Sequence, residues 1–207
     1  MAEIEYFYSS YSAYAYLGSA RFMEVARAAG RRIVHRPISL RPVVAQSGSI
    51  PLGERKSSQV VYYFGREIER WAEHRGVSVM KGRPTHHDND TALCDGMLIA
   101  GVLQGHTVDA LAHAILEAHW RDDADFADRP TLAALGRGVG IDPEPLLDAA
   151  LSPEVQAIYQ ANAAEAVERT VLGSPTYFVD GDMFYGQDRL EMVERACVKP
   201  YAGTWPK

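Results

Sequence analysis

The sequence predicts an α/β chain in which a small sheet unit is split by an all-helical insertion. Three observations carry this. The first 38 residues read as strand, helix, strand; residues from about 55 to 171 are almost continuously helical in periodicity; and residues 176–196 read as a hairpin followed by an amphipathic helix. The expected boundaries are residues 1–42 with 172–207 for the sheet unit and 43–171 for the insertion. At 207 residues and 47% hydrophobic, the chain can bury a full core.

Residues 4–8 are rich in β-branched and aromatic side chains and end at Ser9-Ser10, the signature of a buried strand. Over residues 13–29, Tyr16, Leu17, Ala20, Met23 and Ala26 recur at helical spacing, and Gly30 supplies a stop. Residues 33–38 form a second strand, and the handedness of crossovers makes the pair parallel. Pro, Gly and Ser then crowd residues 42–53. Helical segments follow at roughly 55–75, 90–104, 107–121, 130–137, 143–150 and 153–171, punctuated by Gly76, Gly105, Pro130, Gly140 and Pro153. The hairpin spans residues 176–185 and the closing helix residues 188–196.

A formal charge of -6 and a pI near 5.6 leave no basic footprint, so neither nucleic acid nor an anionic membrane surface is expected as a partner, and a small-molecule substrate is. The N-terminus has no basic n-region or long apolar h-region, which predicts a cytoplasmic chain. Cys94 and Cys197 form no C-x-x-C pair and read as small buried apolar residues rather than a disulfide, redox or zinc centre. No metal site is expected. His86-His87-Asp88 with Asp90 has ligand-type residues, but adjacent side chains seldom converge on one ion, so this reads as a solvated loop. His113 and His119 lack the i, i+4 spacing of a helical metal pair and receive no role.

Two segments carry the candidate chemistry. Ser9-Ser10-Tyr11-Ser12 lies where the first strand hands over to the first helix, so its hydroxyls either cap the helix or, with the unpaired N–H groups there, hold an anion. In Gly173-Ser174-Pro175-Thr176, Pro175 lacks a donor and biases Ser174 toward an extended backbone, leaving Ser174 backbone groups for whatever lies beside the strand. The Ser174-Pro175 bond is trans or cis; the residues alone leave this open. Arg70-Trp71-Ala72 lies on a helix whose Phe64, Ile68 and Trp71 follow core-facing spacing, with Trp71 as core or pocket wall. Tyr8, Tyr11, Tyr14 and Tyr16 either line a pocket for a flat aromatic substrate or belong to the core.

The run from Tyr6 to Leu17, together with Arg70-Trp71-Ala72, Gly173-Ser174-Pro175-Thr176 and Gly186-Gln187-Asp188-Arg189-Leu190, resembles 2-hydroxychromene-2-carboxylate isomerases and their kappa-class glutathione transferase relatives. The resemblance spans nearly the whole chain and implies a DsbA-like thioredoxin fold with an inserted all-helical domain. It implies that Ser12 replaces the thioredoxin-type cysteine and that glutathione, as cofactor, brings the reacting thiol, which Ser12 assists as the catalytic residue. It further implies that Ser174 pairs with the tripeptide ahead of a cis Pro175, that Asp188 takes the γ-glutamyl ammonium, with Arg189 beside it, and that Trp120 lies near the substrate pocket, to which Tyr11 of the aromatic cluster is assigned as well. Asp188 also reads as an ordinary helix cap or first-turn acid.

This chain has Ala13 where the family often has proline, Ser174 where it has an apolar residue, and Val60 at its lysine site, with Lys56 about one turn earlier. The implied function is a glutathione-dependent isomerase acting on an aromatic-derived carboxylate by reversible thiolate addition, as a homodimer. The alternatives are a kappa-class-like glutathione transferase and a non-enzymatic thioredoxin-fold binding protein. A disulfide oxidoreductase lacks the C-x-x-C its chemistry needs.

Overall fold

The computed structural model describes residues 2–48, 50 and 54–203; residue 1, residues 49 and 51–53 of the Pro/Gly/Ser stretch and the tail 204–207 lie outside the described residues. Among the described residues four strands form one sheet in the order β2-β1-β3-β4. They are β1 (Glu3–Tyr8), β2 (Arg32–Pro37), β3 (Thr176–Val179) and β4 (Asp182–Tyr185). Helix α1 (Ala13–Ala28) makes the crossover, and β1 and β2 are parallel with Ile4 opposite Ile33. The C-terminal hairpin returns antiparallel, Tyr6 opposite Tyr177 and Thr176 opposite Tyr185. Asp180 and Gly181 turn it with φ of 50° and 90°, the left-handed pair that two-residue hairpins favour.

Side chains alternate across a strand, so β1 feeds two separate cores. Ile4, Tyr6 and Tyr8 join Leu17, Phe22 and Tyr177 in the larger cluster, which continues without a break into Met97, Leu98 and Leu111 of the insertion. Phe7 points the other way, into a smaller cluster with Ile38, Val43, Ala166 and Phe178. A polar link crosses the first core: the His35 ring joins Asp109, 2.9 Å from Nε2, to the Tyr8 hydroxyl, 2.9 Å from Nδ1.

Helical structure resumes earlier than periodicity indicates. Helix α2 (Leu40–Gln46) forms where Pro, Gly and Ser predict irregular chain, because Pro42 sits in its first turn, where a missing N–H costs nothing. The expected helix at 55–75 is α3 (Ser57–Val61), one π-helical turn (Tyr62–Arg66) and α4 (Glu67–Arg75). The extra residue in that turn rotates the register, so Phe64, expected to share a core face with Ile68 and Trp71, is 38% exposed while Ile68 is buried. Next come α5 (Ala92–Leu103), α6 (Asp109–Asp122), α7 (Arg129–Gly138), α8 (Pro143–Ala149) and α9 (Pro153–Glu168). The last three start alike: Asp128, Asp142 and Ser152 accept from first-turn N–H groups, with a proline at the first or second helical position. A 3-10 turn (Gln187–Arg189) and α10 (Leu190–Val198) close the fold. Among the described residues no helix is long and apolar enough to cross a membrane.

Helix α5 is apolar around most of its circumference, and it packs against α8 and α9. Gly96 makes the approach to α8 close: a Cβ there would run into the backbone carbonyl of Ala150. Gly96→Ala should therefore lower the unfolding free energy by about 1–3 kcal/mol, read from urea denaturation midpoints; an unshifted midpoint would show that α8 yields freely.

Candidate functional site

The site forms where β1 ends and α1 begins. Ser12 is the N-cap of α1, with an extended backbone (φ -75°, ψ 118°), and its Oγ accepts from the Ala15 N–H at 3.2 Å. The helix runs for 16 residues and has no acid in its first turn, so no side chain of its own first turn offsets its positive end, which is buried at Ser12 and Ala13. Ser174-Pro175 is cis. The Ser12 hydroxyl donates to the Ser174 carbonyl at 3.2 Å, and the Ser9 N–H donates to Ser174 Oγ at 3.1 Å. Ser174 thus presents less free backbone than the sequence predicts, because its carbonyl is taken by Ser12.

The other two turn residues are held from the insertion. The Ser10 hydroxyl donates to Asp95 Oδ1 at 2.5 Å, and the Trp120 indole N–H donates to the Tyr11 carbonyl at 2.9 Å. Asp95 is fully buried, and burial pushes its carboxyl up to about 7 against the opposing hydrogen bonds of Ser10, Thr91 and Tyr159. Sequence reasoning missed it, although a lone acid inside the apolar run of residues 92–103 was a usable signal.

Beside Ser174 lies a cleft of about 280 Å³ lined by Tyr14, Tyr63, Glu67 and Trp71 on one side and by Tyr185, Gly186, Gln187, Asp188 and Arg189 on the other. Tyr63, Glu67 and Trp71 are four residues apart, so one face of the helical segment forms the wall. Gly186 has φ of 98°, and a Cβ there would collide with the Asp188 carboxylate. Asp188 is paired with Arg189 at 2.6 Å. Burial pushes the Tyr185 phenol up to about 12 and raises Tyr14 too, so both stay neutral donors at neutral pH.

The structure brings Ser12, Ser174, Pro175, Asp188 and Arg189 into one neighbourhood. Tyr11 and Trp120 lie on the insertion side of the turn, outside the cleft lining. The Tyr11 ring sits between Arg41, whose Cζ is 5.6 Å from its centroid, and the edge of His87 at 5.1 Å. The four tyrosines divide: Tyr8 and Tyr16 are core, Tyr14 lines the cleft and Tyr11 is half-buried. Neither Val60 nor Lys56 lines the cleft; Lys56 is the exposed N-cap of α3.

The histidine segment is in part the solvated loop expected, with Asp88 and Asp90 exposed, but His87 is tied inward. His87 Nδ1 lies 3.1 Å from His119 Nε2, with the rings stacked at 5.3 Å, and His119 is fully buried. The Ala124 carbonyl faces His119 Nδ1 at 3.2 Å and only accepts, so Nδ1 carries the proton and His119 Nε2 accepts from His87. Burial pushes both rings down to about 4, so both are neutral at pH 7. With 32 residues between them, no spacing pattern announces the pair. Asp88 pairs instead with Arg83 and Arg41, whose hydrogen bonds, Arg83 foremost, hold its carboxyl down at about 2. Among the described residues no group of three His, Cys, Asp or Glu side chains could hold a metal ion.

The Asp95 shift has a sign that can be checked. From about 4 to about 7 the folded protein keeps a proton on Asp95 that the unfolded chain, with an ordinary value of 3.8, releases, so this group's contribution to stability falls as pH rises through that window. The slope is at most about 1.4 kcal/mol per pH unit. The stability of the wild type relative to Asp95→Asn should therefore drop between about pH 5 and about pH 7.5 in urea unfolding. The neutral histidines act in the opposite direction but are common to both proteins, and a pH-independent difference would contradict the assignment.

Comparison with known proteins places this geometry. The profile of the DSBA-like thioredoxin domain matches residues 3–198. The 2-hydroxychromene-2-carboxylate isomerase of Sphingobium xenophagum is 27% identical over 192 residues, covering 92% of this chain and 95% of that protein. Its Pseudomonas putida counterpart is 24% identical over 197 residues, covering 93% of each chain. Among solved structures, 2-hydroxychromene-2-carboxylate isomerase superposes with a TM-score of 0.75 at 22% identity, covering 95% of this chain and 94% of that one. The cytosolic disulfide reductase DsbM of Pseudomonas aeruginosa, solved with GSH, gives 0.63 at 17% identity, covering 96% and 93%. The chain belongs to the DSBA-like thioredoxin domain family.

Proposed function

We propose that this chain is a glutathione-dependent isomerase acting on an aromatic-derived carboxylate by reversible thiolate addition. One observation carries the reading: a serine hydroxyl stands at the N-terminus of α1, bonded to the carbonyl that precedes a cis proline, where a thiol chemist's site would need sulfur. No C-x-x-C occurs in the chain and neither cysteine is at this helix terminus, so in this reading the sulfur arrives with a ligand. The names of the curated relatives support isomerisation, and the DsbM structure with GSH supports the tripeptide as a ligand of this fold.

The residues present fit such a ligand. A cleft of about 280 Å³ is near the lower bound for small-molecule pockets, and it offers a carboxylate, neutral phenols and an indole wall. Bound glutathione would supply a thiolate that adds to a conjugated double bond, allows rotation about it and departs unchanged. Ser12 Oγ–H would turn from the Ser174 carbonyl to the sulfur, and with the α1 terminus would favour thiolate over thiol. The Ser174 carbonyl, released from Ser12, would accept an amide N–H of the ligand. Asp188 would take the ammonium by a charge-assisted hydrogen bond, with Arg189 orienting its carboxylate. Tyr14, Tyr63 and Trp71 would shield the site from water.

Calorimetric titration should show glutathione binding, and turnover of 2-hydroxychromene-2-carboxylate should require the tripeptide without consuming it. Ser12→Ala should lower kcat about 100-fold, the scale of losing one aligned donor, and Asp188→Asn should weaken glutathione about tenfold. Stoichiometric loss of glutathione would point to the transferase instead, and no binding at millimolar supply would end the proposal.

A further inference from the structure

Asp95 is a buried acid that the proposed chemistry does not use. It makes no ion pair with a cation among the described residues; its carboxylate is reached by the Ser10 hydroxyl at 2.5 Å and the Tyr159 hydroxyl at 3.0 Å, and Tyr159 is in turn bonded to Thr91 at 2.8 Å. The groups facing it are Ser10 and Tyr11 from the turn, Tyr8 from β1, Thr91 and Cys94 from the start of α5, and Tyr159 from α9; none is a cation. An unpaired carboxyl in such a place is costly, and a helix needing only to pack would be better served by an apolar side chain. The arrangement does one thing an apolar residue could not, which is to seize Ser10.

We propose that Asp95 is a positioning residue for Ser12: by binding Ser10 it fixes the four-residue turn that sets the Ser12 hydroxyl against Ser174, behind the cleft lining. The assignment rests on the reading of Ser12 given above. The turn has four external ties, and they divide by origin. Ser174 holds Ser9 and Ser12, Trp120 holds the Tyr11 carbonyl, and Asp95 holds Ser10. Ser10 is fully buried, so no water competes for its hydroxyl. Without Asp95 the turn keeps its two contacts to Ser174 but loses the one that clamps it to α5, and a displacement well under 1 Å is enough to misalign a hydroxyl with a bound sulfur. Burial pushes the Asp95 carboxyl up to about 7, so its two acceptor oxygens become one near neutrality and a hydroxyl partner must reverse its bond.

A double-mutant cycle tests this. Ser10→Ala and Asp95→Ala should each lower kcat about tenfold, leave KM for glutathione within about twofold because the cleft is untouched, and cost no more together than singly. Asp95→Asn keeps an acceptor for Ser10 and should retain most of kcat. Additive losses, or single alanine variants with wild-type kcat, overturn the assignment. Amide hydrogen exchange decides it independently of chemistry: residues 10–12 should exchange about tenfold faster in Ser10→Ala and in Asp95→Ala, with β4 unchanged, and unaltered exchange overturns it. If the wild type shows no glutathione-dependent turnover, the reading of the site fails, and exchange alone decides whether Asp95 holds the turn.

Discussion

Two hydrogen bonds to Ser174 join the two ends of the sequence into one surface: Ser9 N–H to its hydroxyl and Ser12 Oγ–H to its carbonyl. They are possible because β3 lies beside β1 in the sheet, antiparallel, so the exit of β1 and the entry of β3 meet at the same edge. Everything between them is a loop that this pairing closes. Closure entropy grows only by about 0.6 kcal/mol for each doubling of loop length, so a large helical insertion is cheap to accommodate once the strands pair. The site therefore lies where the insertion leaves and returns, and the insertion is free to shape it.

It does so through both apolar and polar contacts. The core under the sheet runs from Tyr6, Tyr8 and Leu17 into Met97, Leu98 and Leu111 without interruption, so α5 and α6 are packed against the elements that carry Ser12. On that rigid base, Asp95 and Trp120 reach the turn with one hydrogen bond each. The aromatic wall of the cleft also comes from the insertion, through Tyr63 and Trp71, while the charged pair Asp188 and Arg189 comes from the C-terminal unit. In the proposed reading the ligand would bridge the two.

The elements that periodicity describes well were legible: β1, α1, β2 and the hairpin follow from alternating or helical apolar spacing and from Asp180-Gly181 at the turn. Helix α2 was not, because Pro42 reads as a breaker unless its place in a first turn is known. Phe64 was misplaced because a π turn adds a residue that no spacing rule anticipates. For the candidate site, the choice of Ser12, Ser174 and Asp188 rests on resemblance, since helix ends and X-Pro turns alone leave capping and binding open. The His87–His119 pair and the Ser10–Asp95 bond join residues 32 and 85 positions apart, and contacts of that kind exist only once the chain has folded.

The chain's own thiols are placed where they cannot serve the proposed chemistry. Cys94 is fully buried, and burial raises its thiol well above the ordinary range, with the neighbouring Asp95 adding to the effect. Cys197 is half-buried near the chain's end and is raised by burial as well. A thiolate needs the reverse environment: an exposed approach, a positive helix terminus and a donor. Ser12 supplies the last two of these from a buried position, and its side chain is a hydroxyl, which can donate to a sulfur but cannot be oxidised to a disulfide. In the proposed reading, such a division would leave the helix terminus to a thiol that binds, reacts and leaves.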